Sequence, residues 1–154
     1  MSSVQQFPVR FSNIDECPRH FRDRLKRSVD LTENIYDIIF SPAFSSGTAS
    51  LPGSVFCVTD RQWLIAQEPK KRGHRVGLKS AVYADTLLIE LTDILLYGQL
   101  KIDYAFTDRS ESSVCHFNAA FTNIYTNAIL RVLNFIDHVR EAAIEKDKKI
   151  QIYL

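Results

Sequence analysis

The chain has 154 residues, 45% of them apolar and 24% charged, enough to bury a core and too apolar for a disordered segment. Five Gly and five Pro exclude collagen-like and linker-like material, and no uncharged apolar run approaches the roughly 18 residues of a membrane span. A net charge of +1 excludes the global positive field of most nucleic-acid binders, so no nucleic-acid partner is expected.

Residues 1–13 show no period and are expected to form a loose arm. Met1 to Arg10 also lack the apolar stretch of a secretory signal. Three widely spaced cysteines, Cys17, Cys57 and Cys115, suit free thiols in a reducing compartment, so a cytoplasmic location is expected. Ile14, Cys17, Phe21 and Leu25 then recur at three- and four-residue steps with arginines on the other faces. That stripe predicts a helix over about 16–28, inside an amphipathic segment 14–31.

From Ile35 to Phe40 the chain is rich in β-formers and stops at Ser41-Pro42, as a strand would. Ser45 to Gly53 is small and turn-prone and reads as a surface loop. Two apolar runs, Ser54 to Val58 and Gln62 to Ala66, flank Thr59-Asp60-Arg61, a spacer suited to a tight hairpin. Glu68 to His74 is a polar connection, Arg75 to Val82 alternates loosely, and Thr86 to Leu91 is a compact apolar run. Ile94 to Phe106 is a longer run, broken at Gly98; its Leu100 to Tyr104 part alternates strictly, which gives one wet and one buried face. Val114 to Phe117 is the last core strand.

Phe121, Ile124, Tyr125, Ala128, Ile129, Val132, Leu133, Phe135, Ile136 and Val139 keep helical spacing, with Arg131, Asp137 and Arg140 off the stripe. They predict a capping helix over 119–148, followed by an apolar tail, 149–154. No repeat or long linker divides the chain, so one domain is expected. The fold class is α+β: a short N-terminal helix, about seven antiparallel strands over 32–118 in a bent sheet or partly open β-barrel, and a long C-terminal helix. Short connections favour antiparallel pairing, because parallel pairs need crossovers of a dozen or more residues.

This order resembles the pleckstrin-homology-like superfamily. Phe56-Cys57-Val58-Thr59-Asp60-Arg61-Gln62-Trp63-Leu64-Ile65 is similar to the hairpin of its bacterial members and of the related GRAM modules. Gly98-Gln99-Leu100-Lys101-Ile102 is similar to their later glycine-led strand, and the likeness spans about 33–140. The resemblance implies seven antiparallel strands in a bent, partly open barrel plugged at one end by the last helix. Members with phosphoinositide sites carry basic residues around the first hairpin loop. Here Ser45 to Pro52 holds no Lys or Arg, and the basic loop falls one hairpin later.

Signs of catalysis or metal binding are few. His20, His74, His116 and His138 occur without metal-ligand spacing, and adjacent Cys115 and His116 on a strand point to opposite faces. No nucleophile elbow or glycine-rich phosphate loop occurs. Catalytic residues, metal and cofactors are therefore read as none. Glu90 is read as an outward strand residue, and Trp63 and Tyr36 as core aromatics.

Charge is uneven. Residues 1–79 hold twelve Lys/Arg against eight Asp/Glu, and residues 80–154 hold seven against ten. The leading expectation is a non-enzymatic binding module for a protein partner, reached through an electropositive loop or an open sheet edge. The candidate surface is Lys70, Lys71, Arg72 and Arg75, with the arginine-rich first helix, including Arg19 and Arg22, as a second cluster. An acidic protein segment is favoured over an inositol phosphate or other anionic phospholipid, because the first-hairpin cations are missing. The alternative is a helix-grip protein enclosing a small apolar ligand, with Glu90, Tyr104 or His116 as polar contacts. A third reading is self-association into a homo-oligomer through Ile150 to Leu154.

Overall fold

The computed structural model describes residues 8–46, 49–69, 73–94 and 97–146. Its elements are β1 (Val9–Arg10), α1 (Arg19–Lys26), β2 (Ile35–Ser41), β3 (Phe44–Ser46), β4 (Ala49–Leu51), β5 (Ser54–Thr59) and β6 (Gln62–Gln67). They continue as β7 (Gly77–Val82), β8 (Thr86–Ile94), β9 (Tyr97–Phe106), β10 (Arg109–Asn118) and α2 (Thr122–Lys146). The strands form two main antiparallel sheets, ordered β1-β2-β5-β6-β7 and β10-β9-β8. The seven long strands run through the sheets in chain order, and no ladder closes them into a barrel.

The main core lies between the sheets and under α2. Phe56, Trp63, Phe117 and Tyr125 are all buried there, and the Phe117 and Tyr125 rings stack with centroids 3.9 Å apart. Trp63 donates its indole N–H to Thr86 Oγ1 at 3.0 Å, which satisfies its one polar atom. Tyr125, Ala128, Val132 and Ile136 of α2 cover this core, as the helical stripe predicted. The expected helix 119–148 begins as a 3-10 turn, Ala119–Phe121, and Asn118 Oδ1 accepts the Ala120 N–H at 3.0 Å. Residues 147–148 and the tail 149–154, with its expected edge strand, lie outside the described residues.

A second core lies on the other face of the first sheet. Ile14, Cys17, Phe21 and Leu25 pack there on Ile38, Val55, Cys57, Leu64 and Ala66. The apolar stripe was therefore read correctly, but one continuous helix over 14–31 does not form. Ile14–Glu16 is a 3-10 turn, and Pro18, whose ring would obstruct a preceding helical turn, separates it from α1. Pro18 instead supplies a carbonyl to the N–H groups of Phe21 and Arg22. Because α1 covers this face, β5 is buried on both sides along its whole length, which is why its sequence does not alternate.

Three more expectations change. Val9 and Arg10, placed in a loose arm, pair with Phe40 and Ile39, and Phe11 stacks on Phe40. Two residues are too few for a period to be visible in the sequence. The stretch read as a surface loop, 45–53, holds most of a small ribbon in which Phe44 faces Leu51. Gly98 does not break a strand. It lies inside β9 opposite Phe117, while β8 ends at Ile94 and β9 begins at Tyr97.

The Thr59-Asp60-Arg61-Gln62 hairpin is held by its own polar side chains. Thr59 Oγ1 accepts the N–H groups of Arg61 and Gln62, each at 3.1 Å, and donates to Glu33 Oε2 at 2.7 Å. Asp60 Oδ1 accepts the Asn34 N–H at 2.9 Å. Removing the hydroxyl leaves two amide groups and a carboxylate short of a partner. Thr59→Val is therefore expected to lower stability by about 1–2 kcal/mol in denaturant unfolding, and an unchanged midpoint would contradict this role.

Candidate functional site

β6 ends at Gln67 and β7 starts at Gly77, so residues 68–76 form the connection between the two strands. Val76 anchors its far end in the second core, and the Glu68 N–H bonds the Gly53 carbonyl at 2.9 Å at its near end. Arg75 is exposed between these anchors. Lys70, Lys71 and Arg72, the other three cations of the candidate loop, lie outside the described residues. On α1, Arg19 is exposed, and Arg22 is half-buried with its Nη1 donating to the Asp15 carbonyl at 3.3 Å.

Beside this connection the two sheets part. β7 is the last strand of the first sheet and β10 the last of the second, with no ladder between them. The space they leave is an open groove of about 860 Å³. Leu51, Ile65, Leu78 and Val114 supply apolar surface in it, and His74, Arg75, Lys79 and His116 supply basic groups. Lys79 Nζ reaches across to the Ser112 carbonyl at 2.9 Å, so an ammonium already caps one outward acceptor of β10. The β3–β4 ribbon closes one end through Leu51 and Pro52, and it carries no cation.

The remaining chemistry-bearing groups are dispersed. Among the described residues no three His, Cys, Asp or Glu side chains come together as metal ligands. His138 Nδ1 lies 2.8 Å from the Asn134 carbonyl and His116 Nε2 lies 3.0 Å from Gln99 Oε1. Glu90 is exposed opposite Lys101, while Tyr104 is buried edge-on to Trp63. The polar set of the helix-grip reading therefore does not converge. Where that fold would place helices after the first strand, this chain has the β3–β4 ribbon. Trp63 is core, whereas Tyr36 is half-exposed and carries the Arg131 guanidinium 5.3 Å from its ring centroid.

All three thiols are buried. Desolvation pushes Cys17 up to about 11 and Cys115 up to about 12, and raises Cys57 as well. Unfolded thiols titrate near about 8.5, so the folded form gains nothing lost at neutral pH and is penalised as pH climbs from there towards the folded values. The denaturant midpoint is expected to fall steadily over that alkaline interval. A flat profile would contradict the burial of these groups.

No protein-family model matches the sequence, and no curated protein matches it either. The fold does have a solved counterpart: a DUF1696-family protein with a pleckstrin-homology domain from Shewanella loihica PV-4. The TM-score is 0.52 at 13% identity, covering 84% of this chain and 97% of that one. The fold is pleckstrin-homology-like. In this pleckstrin-homology-like chain the seven long strands β2, β5, β6, β7, β8, β9 and β10 lie in two sheets, with α2 packed over the core between them. No helix among the described residues is long and apolar enough to cross a membrane.

Sequence reasoning found Arg75 and missed β10 as its neighbour. The signal was present in Ser110-Glu111-Ser112-Ser113, small and polar as exposed edge strands often are. Only the topology puts that run across the groove from β7.

Proposed function

We propose that this pleckstrin-homology-like chain is a non-catalytic binding module that takes an acidic, extended segment of a protein partner between β7 and β10. One observation carries the reading: two strand edges with no neighbouring strand among the described residues border the same groove. An added strand gains main-chain hydrogen bonds from such an edge and specificity from alternate side chains. Lys79, Arg75 and His74 favour acidic side chains, and Lys70, Lys71 and Arg72 add three cations to the same connection in sequence. The absence of Lys and Arg from 45–52 supports a protein segment over an inositol phosphate in this groove.

The test is selection of displayed random dodecapeptides against the whole chain, followed by titration of the isotopically labelled protein. Winning peptides are expected to be acidic, to shift the amides of Gly77–Lys79 and Ser112–His116, and to bind at least tenfold more weakly to Lys79→Glu. Peptides that map elsewhere, or that ignore Lys79→Glu, would overturn the reading.

A further inference from the structure

The connection after β6 has a second side. There it faces α1 across another groove, of about 630 Å³, within the size range of small-ligand sites. Arg24 and Arg27 line it from one helix face, three residues apart, and His74 and Arg75 line it from the opposite wall. Arg24 and Arg27 of the first basic cluster and Arg75 of the second, separate in sequence, thus line one concavity. Asp23 and Glu68 are the acids in its lining. Glu68 Oε1 is already 3.8 Å from His20 Nε2.

The arginines are not neutralised by these acids. Among the described residues no carboxylate pairs with Arg24, Arg27 or Arg75. Arg27 donates its Nε–H to the Asp23 backbone carbonyl at 3.2 Å, which orients the side chain and leaves both terminal nitrogens without a partner among the described residues. α1 itself is fixed, because Phe21 and Leu25 are fully buried beneath it. Guanidinium groups lining a concave surface, with no carboxylate paired to them among the described residues, suit an anion that accepts paired hydrogen bonds. Lys70, Lys71 and Arg72, between Pro69 and Gly73 in sequence, raise the positive charge of the same connection.

We propose that this cleft binds a phosphate group of the phosphomonoester or pyrophosphate class, held by Arg24, Arg27 and Arg75. The two grooves share Glu68, Pro69, His74 and Arg75 in their linings, but Arg24 and Arg27 line only this one. Soluble phosphate compounds and lipid headgroups share this chemistry, so the experiment has two arms. The first is calorimetric titration of the full chain with inorganic pyrophosphate. The second is sedimentation with phosphatidylcholine vesicles containing phosphatidic acid.

Saturable pyrophosphate binding is expected, weakened at least tenfold in Arg24→Gln/Arg27→Gln and in Arg75→Gln. Lys101→Gln, on the outer face of the second sheet, should leave it unchanged, and unfolding midpoints check that each variant is folded. Vesicle binding displaced by pyrophosphate would identify a lipid headgroup as the source; pyrophosphate binding without vesicle binding would identify a soluble one. No saturable binding in either arm, or binding indifferent to Arg24→Gln/Arg27→Gln, would overturn the proposal.

Discussion

Replacing both Arg10 and Arg131 with methionine should destabilise the fold by about 3–5 kcal/mol, more than replacing the Asp37 they share. Asp37 projects from β2 with its side chain 2% exposed; Arg10 Nη2 bonds one carboxylate oxygen at 2.9 Å and Arg131 Nε the other at 2.8 Å. The two arginine side chains are 51% and 42% exposed. The asymmetry in solvent decides the order of effects. Without Asp37 the arginines keep much of their hydration and turn outward. Without the arginines a carboxylate is left buried and unpaired, and its desolvation has no compensation. Guanidinium chloride unfolding of the double variant and of Asp37→Ala measures both costs. Adding Asp37→Leu to the double variant should recover part of the loss, since an apolar side chain removes the stranded charge. An Asp37→Ala variant less stable than the double arginine variant would contradict this account.

Gly98→Ala should cost about 3 kcal/mol, at or beyond the upper end of ordinary overpacking. A Cβ at this position would stand 2.3 Å from Phe117 Cε2 and 2.5 Å from Cζ. Phe117 is fully buried and stacked on Tyr125, so the ring has nowhere to retreat without disturbing α2. The glycine is required by close approach rather than by backbone angle. Phe117→Leu removes the offending atoms, so the double variant Gly98→Ala/Phe117→Leu should lose less than the sum of its parts, and strict additivity would refute the contact.

These two positions also mark how far the sequence could be read. The glycine-led strand was legible as a pattern, but its cause is a ring on the next strand, which no local period reveals. Arg131 was placed off the apolar stripe of α2, and it is indeed exposed there, yet it ties the helix to β2 across 94 residues. β9 and α2 were legible because each has one face in the main core and therefore a clear period, and β5 and β6, buried on both faces, were legible as compact apolar runs. β1 and β3–β4 were not, since two- and three-residue strands depend on a neighbour for their pairing. The serines Ser41 and Ser54, paired in register and wholly buried, give no sign in the sequence that they lie inside. For the candidate site, composition marked the basic connection and the arginine-rich helix. That Arg24 and Arg27 face Arg75, and that β10 borders the groove beside the connection, follows from how the two sheets and α1 pack, which no local pattern shows.

Strand addition between the two sheets can be measured most directly by amide hydrogen exchange on the whole chain, with and without a saturating selected acidic peptide. Amides along the outward edges of Gly77–Val82 and Arg109–Val114 should exchange at least tenfold more slowly in the complex, while those of β5 stay as they were. Protection confined to α1 or α2, or bound peptide with no slowing along either edge, would contradict it.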